Sequence, residues 1–404
     1  MATVCFYFQV HQPFRLRRYT IFDRGGQPFD DDRNAAVCRK VADKCYRPAG
    51  RLMLELIQRL KGRFRISYCL SGVVIEQFER YCPDVLDTFR ALARTGCVEF
   101  LAETYYHSLS FLYSRQEFVE QVQAHRQRMR DLFGQEPTVF RNTELVYSND
   151  VAHLASQMGF RAVLCEGLDA VLGERSPAFT YAPPRCPGLS LLLKNYRLSD
   201  DIAFRFGNRD WEEWPMDAGK FAAWVSATNG HGHLVNLFMD YETLGEHQWA
   251  DTGIFDFLRA LPDAVLAYPE NDFATVSEAV DRHPPAAVYD VPHLSSWADT
   301  ERDLSAWLGN AMQSEAIREL YQLESRVKDS GDPALLGEWR RLQTSDHFYY
   351  MCTKWFADGD VHKYFNPYDS PHDAYINFMN VLDDLATRAR AGAGAAPGVE
   401  TGHV

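Results

Sequence analysis

The sequence has no apolar run approaching the roughly 20 residues that span a bilayer, and a membrane role is not expected. Positive charge is the minority: 42 Lys and Arg stand against 55 Asp and Glu, a formal net charge of −13 over 404 residues. Such a chain lacks the clustered cations that bind nucleic acid or anionic lipid surfaces. Its nine cysteines, at 5, 38, 45, 69, 82, 97, 165, 186 and 352, are odd in number, and no pair has C-x-x-C spacing. That argues against a disulfide scaffold or a zinc ribbon, so they read as reduced, mostly structural thiols of a cytoplasmic protein. Met1–Val10 lacks the basic start, long apolar stretch and small-residue cleavage site of a signal peptide and reads as a strand. No glycine-rich phosphate loop follows it; His11-Gln12-Pro13 stands there instead, which counts against a nucleotide-binding Rossmann domain.

What is present is ordinary globular composition, 46% hydrophobic and 24% charged, with 8 Trp, 20 Tyr and 26 Phe. So many aromatics suit a large core, and flat rings also pack against the apolar faces of sugars. Short apolar runs recur at Val4–Val10, Phe64–Leu70, Val98–Leu101, Thr138–Phe140, Ala162–Cys165, Leu189–Leu193 and Leu234–Met239. Each has strand length and is bounded by Gly, Pro or charge. Helix-like stretches lie between them, such as Arg51–Leu60 and Glu117–Phe133. The alternation gives an α/β chain with a parallel sheet covered by helices. Seven such units suggest a closed or nearly closed barrel, with a doubly wound sheet as the alternative.

The character changes near residue 295. Thr300 and Asp303 fit a capping box, with Leu304, Trp307, Leu308 and Ala311 on one helical face. Further helices are expected over Ala334–Leu342 and Asp373–Arg390, with aromatic-rich segments at His347–Phe356 and Tyr364–Tyr368. The division expected is a barrel over residues 1–295, a C-terminal helical region over 296–390 contributing to the active-site cleft, and a disordered tail over 391–404.

Parallel barrels place their chemistry at the C-terminal ends of strands. The polar residues there are Gln9 and His11; Glu99, Glu103, Tyr106 and His107; Arg141 to Glu144; and Asp240-Tyr241-Glu242. Two carboxylates facing each other across a barrel mouth suit glycosidic cleavage, one attacking the anomeric carbon and the other donating a proton, provided their environments separate their pKa values. Structural acids at strand ends are common, and spacing alone leaves this open.

Five segments narrow the choice: FYFQVHQPF at Phe6–Phe14, EFLAETYYHSL at Glu99–Leu109, FRNTELVYSND at Phe140–Asp150, LFMDYETLGEHQW at Leu237–Trp249 and ERDLSAWLGNAMQ at Glu301–Gln313. Together they resemble the five sequence regions of glycoside hydrolase family 57, nearest to its small α-amylase and amylase-like branch. Arg197–Phe206 and Gln343–Tyr368 are similar to that branch too. The resemblance implies an incomplete (β/α)7 barrel with a C-terminal helical segment packed against it, and a retaining mechanism on α-glucans or maltooligosaccharides. By motif, Glu144 matches the nucleophile and Asp240 the acid/base. His11, Glu99, His107, Arg141, Glu242 and Trp307 become candidates for substrate contact, with orienting neighbouring groups as the alternative for Glu99 and Glu242, core packing for Trp307, and Arg141 also a candidate for keeping Glu144 ionised. Gln9 departs from the pattern, standing where many members have a histidine. Asp303, His347, Trp355 and Tyr364 are weaker candidates, with capping or core packing as their alternatives.

The carboxylate mechanism needs no cofactor or metal. Phe29-Asp30-Asp31-Asp32 resembles the paired aspartates of metal-dependent deacetylases, but it follows Gly25-Gly26-Gln27-Pro28 rather than a strand and has no H-x-x-x-H partner. Glu246-His247 is not the H-E-x-x-H of a zinc protease. Three functions stay open: α-1,4 hydrolysis, transfer to another sugar hydroxyl (4-α-glucanotransferase or branching), and glucan binding without turnover.

Overall fold

Strands in this chain carry apolar residues on both faces, as a sheet enclosed on both sides requires. The computed structural model describes residues 2–356 and 366–393. In chain order the strands are β1 (Thr3–Val10), β2 (Ile66–Leu70), β3 (Val98–Phe100), β4 (Val139–Arg141), β5 (Ala162–Glu166), β6 (Thr180–Ala182), β7 (Ser190–Lys194), β8 (Leu234–Asp240), β9 (Asp272–Phe273) and β10 (Ala287–Val288). All seven strands expected from the apolar runs are present. The three unforeseen ones have only two or three residues each, too few for an alternating pattern.

Seven strands form the barrel wall. β8, β1, β2 and β3 are parallel neighbours, as are β4, β5 and β7. A single bridge, Ala102 to Phe140, joins β3 to β4. At β7 the outer edge is taken by antiparallel β6, pairing at Leu191 and Leu192. β8 is bonded towards β7 through Asn236, whose carbonyl accepts from Asn195 N (3.0 Å) and whose amide donates to Leu193 O (2.9 Å). These seams make the (β/α)7 barrel incomplete. The seven expected strands pair in parallel, and the antiparallel β6 is an addition where the chain turns back on itself before β7.

Period two sorts the side chains. Phe6, Phe8, Ile66, Tyr68, Val98, Phe100, Leu237 and Met239 face outward into one core with the covering helices. Helix Arg47–Arg59 contributes Leu52, Met53, Leu56 and Ile57 to it, one face of a 3.6-residue repeat. Cys5, Tyr7, Cys69, Leu101, Val139, Leu164, Leu192 and Phe238 face inward and fill the barrel. One step further along the strands the inward series turns polar: Gln9, Glu103, Arg141, Glu166, Lys194 and Asp240.

Two compact units result. The barrel unit comprises residues 1–12, 35–105 and 119–303; the helical unit comprises 13–34, 106–118 and 304–404. The helical unit thus draws on two excursions from the N-terminal half, which periodicity does not announce. Within it, Asn377 accepts from Tyr19 N (2.7 Å) and donates to Arg17 O (3.0 Å). The buried Glu117 carboxylate takes Arg340 (2.8 and 3.1 Å) and Lys328 (2.9 Å).

The capping box expected at Thr300 and Asp303 lies elsewhere. Only Ser305–Leu308 is helical there, and a longer helix, Ala311–Gln322, starts at Asn310. Asn310 and Gln313 exchange the reciprocal bonds, because Asn310 has the extended backbone an N-cap needs. Helices Pro333–Arg341 and Pro371–Ala393 match the remaining expectations to within a few residues. Tyr364, the side chain of Trp355 and residues 394–404 lie outside the described residues. Among the described residues no helix is long and apolar enough to cross a membrane.

Candidate active site

β4 ends at Arg141, and the turn after it sets Glu144. Asn142 is extended, and its side chain accepts from Thr143 N (3.0 Å) and donates to Val146 O (2.9 Å). Glu144 and Leu145 then adopt positive φ, 57° and 50°. Such backbone costs a non-glycine residue about 1–3 kcal/mol and concentrates at functional sites. Burial of Leu145 in the inner core holds the strained turn. The Glu144 carboxylate accepts the indole N–H of Trp297 at 2.9 Å on Oε2, and Trp297 N donates to Glu144 O at 3.3 Å. The indole ring has Arg141 over it at 5.0 Å and Lys194 at 5.4 Å, and Arg302 donates to the Trp297 carbonyl.

Arg141 is completely buried. Burial works against its charge, but Tyr7, Glu103 and Glu144 more than offset this and raise its pKa. Glu103 lies 3.9 Å from it. Glu103 Oε1 accepts from Gln9 Nε2 (2.9 Å) and the Cys69 thiol (3.4 Å), and Gln9 accepts from Tyr7 OH. His125 Nε2 lies 2.7 Å from Leu70 O, and Nδ1 accepts from Glu103 N at 3.4 Å. Cys69, Glu103 and His125 present ligand-type atoms within 4.8 Å of one another. Their hydrogen bonds already engage both ring nitrogens and the thiol, and the adjacent guanidinium opposes a dication.

Asp240 ends β8, in register with Gln9. Tyr241 turns outward, its ring 5.1 Å from Tyr68 and 5.2 Å from Phe8. Glu242 is buried again and accepts from Tyr46 OH and from His11 N (3.3 Å). Burial, reinforced by neighbouring Asp240, pushes its pKa up to about 8, which favours its protonated form. Tyr46 closes a π-helical turn, Ala42–Tyr46, a distortion frequent at functional sites. His11 Nδ1 lies 2.7 Å from the Ser71 hydroxyl.

The barrel unit therefore places Glu144, Arg141, Asp240, Glu242 and His11 at or just beyond the C-terminal ends of β4, β8 and β1. Glu99 stands apart from them. It shares its strand's inward face with Leu101 and Glu103 but sits at the opposite, N-terminal end. There it accepts from Ser277 N (2.9 Å), the Ser277 hydroxyl and the Ser67 hydroxyl (3.3 Å), beside helix Val276–Arg282. Burial raises its pKa, and those bonds oppose the rise. The acid of that strand facing the rim is Glu103. Trp307 lies in the helical unit, 2% exposed, its ring 6.2 Å from Tyr349, a placement that suits the core-packing alternative. Asp303 caps no helix; its carbonyl accepts from Ser296 Oγ. His107 belongs to the helical unit, with φ of 51° and its carbonyl accepting from Ser345 N (2.9 Å). His347 is buried there too, its ring 5.7 Å from Phe378. Sequence reasoning missed Trp297 and Tyr46. Neither follows a strand or sits in a matching motif, so no local signal marked them.

Residues 5–292 match the family Glycosyl hydrolase family 57. The chain belongs to this family. Its membership makes it a glycoside hydrolase, and the matched span contains His11, Arg141, Glu144, Asp240 and Glu242. A family relative from Methanocaldococcus jannaschii, named "Putative alpha-amylase", is 42% identical over 397 residues, covering 95% of this chain and 84% of its own. Solved structures share the fold at low identity. A family 57 branching enzyme from Pyrococcus horikoshii superposes with a TM-score of 0.67 at 15% identity, over 97% of this chain and 94% of that one. A 4-α-glucanotransferase from Thermococcus litoralis gives 0.62 at 15% identity, over 96% of this chain; the match spans 59% of that longer protein.

Proposed function

We propose that the protein cleaves α-1,4-glucosidic bonds of α-glucans and maltooligosaccharides with retention of configuration. The observation that carries this reading is the placement of Glu144 and Asp240 at the C-terminal ends of two barrel strands, in a family of glycoside hydrolases. Glu144 attacks the anomeric carbon while Asp240 protonates the departing oxygen. Asp240 then deprotonates the acceptor, which displaces Glu144 from the covalent glycosyl-enzyme. Glu242, protonated beside Asp240, adds no second negative charge and fixes the His11 backbone. His11 and Arg141 serve the cleavage subsite. The role of His107 as a sugar ligand rests on its motif, and loss of affinity in His107→Ala tests it. Nine buried free thiols favour a reducing, intracellular setting.

Product analysis on maltoheptaose, with Glu144→Gln as control, tests the reading. Shorter products only, with new reducing ends, mean hydrolysis. Products both longer and shorter with constant reducing ends mean transfer, the second reading, which the fold shared with a branching enzyme and a glucanotransferase supports. Oligosaccharide binding without turnover means a glucan-binding protein and overturns both. In a substrate-bound structure the two carboxyl groups should lie about 5–5.5 Å apart; a separation beyond about 10 Å removes the mechanism.

A further inference from the structure

We propose that Trp297 is a positioning residue for the Glu144 carboxylate, holding Oε2 so that the bond to the sugar forms at Oε1. The inference deepens the reading above and rests on it. Three observations converge on the indole. Its N–H donates to Oε2 at 2.9 Å. Its ring has Arg141 and Lys194 over it, at 5.0 and 5.4 Å, an arrangement that fixes the plane of an aromatic electrostatically. Its backbone is tied at both ends of the peptide unit: N donates to Glu144 O, and O accepts from Arg302.

The cations around the ring are themselves held. Lys194 pairs with Asp200 at 3.0 Å and lies 3.9 Å from Glu166. Arg302 lies 3.8 Å from Glu166 and 3.7 Å from Asp200. Two acids and two cations thus form a network whose shared neighbour is Trp297. A surface tryptophan needs no such support. A donor that must keep its direction while charge on its acceptor changes does.

The chemistry follows from which oxygen the indole holds. In the first step the Oε1 lone pair forms the bond to C1, the bond from C1 to the glycosidic oxygen breaks, and Asp240 delivers its proton to that oxygen. Oε2 becomes the carbonyl oxygen of the glycosyl ester and keeps the indole N–H. In the second step a water oxygen bonds to C1, its proton passes to Asp240, and the electron pair of the C1–Oε1 bond returns to the carboxylate. The N–H stabilises the carboxylate as leaving group there and lowers its basicity in the free enzyme. It also holds the carboxyl plane across both steps.

Trp297→Phe tests this, since it retains an aromatic ring near the two cations and removes the N–H donor. Loss of a hydrogen bond to a charged group should lower kcat on maltoheptaose by about 10- to 100-fold with KM changed less than about 3-fold. The acid limb of kcat/KM should move up by roughly one pH unit, because the charged form of Glu144 loses its donor. A merely structural role would lower stability and leave that limb in place. If Trp297→Phe does not fold, Arg302→Lys, which keeps the charge but loses the planar fork at the Trp297 carbonyl, should shift the same limb by a smaller amount. A wild-type acid limb in whichever variant folds, with Glu144→Gln inactive, overturns the inference alone. Turnover retained in Glu144→Gln overturns both the inference and the reading beneath it.

Discussion

The two ends of the barrel bury carboxylates for different purposes. At the N-terminal end Glu99 is surrounded by neutral donors, two hydroxyls and a backbone N–H, and ties β3 to the start of helix Val276–Arg282. At the C-terminal end Glu103, four residues on and on the same face, lies beside the buried cation Arg141. One satisfied carboxylate closes a barrel end. The other balances a charge that borders Glu144 and the ring holding it. The same residue type on one strand face is therefore structural or functional according to strand direction, because the rim beyond a parallel strand is built from connecting segments free to vary.

The sharpest way to break this comparison is catalytic. Glu144→Gln and Asp240→Asn should each lower kcat on maltoheptaose by about a thousandfold or more, while Glu99→Gln should stay within about twofold of wild type. A Glu99 variant as inactive as Glu144→Gln would return Glu99 to the site. Stability gives the next contrast. Glu103→Leu leaves the buried Arg141 without its Glu103 partner and should cost about 3–5 kcal/mol in urea unfolding. Glu99→Leu leaves only neutral donors unpaired and should cost about 1–3 kcal/mol.

A third contrast is in pH. Glu242 binds its proton up to a pKa of about 8, against an ordinary 4.5. The folded state then holds one more proton than the unfolded chain between those values. The stability from this proton is fully present below about 4.5 and is lost as pH rises through 8, at about 1.4 kcal/mol per unit. Glu242→Gln has no such loss, so wild type should weaken relative to it between pH 5 and 8; parallel urea curves at both would refute the protonated state. The smallest effect belongs to the N-terminal end. Thr275 caps helix Val276–Arg282 reciprocally with Glu278. Thr275→Ala should cost about 1 kcal/mol and leave kcat unchanged.

Much of the barrel was legible because its signal is local. Each wall strand is an apolar run with period-two sorting; Asp240 follows such a run directly, and Glu144 lies in the turn after another. The strand-end rule also put Glu99 and Glu103 in one group, since alternation gives the face and not the end. Trp307 stayed open because a helical stripe and a sugar-stacking residue present the same aromatic in sequence; its burial favours the core. Trp297 lies 153 residues from Glu144, a pairing no spacing rule reaches.

The sequence by itself determined the strand–helix alternation, the family and the two acids at strand ends, because these depend on residue patterns a few positions long. Tertiary structure alone decided the rest. Closure around seven strands, with β6 occupying the edge of β7, selected which acids share the rim. It also brought Trp297 over Glu144 and put Tyr46 on Glu242. These are contacts between distant segments, fixed by how buried surfaces pack and by the need of every buried charge for a partner.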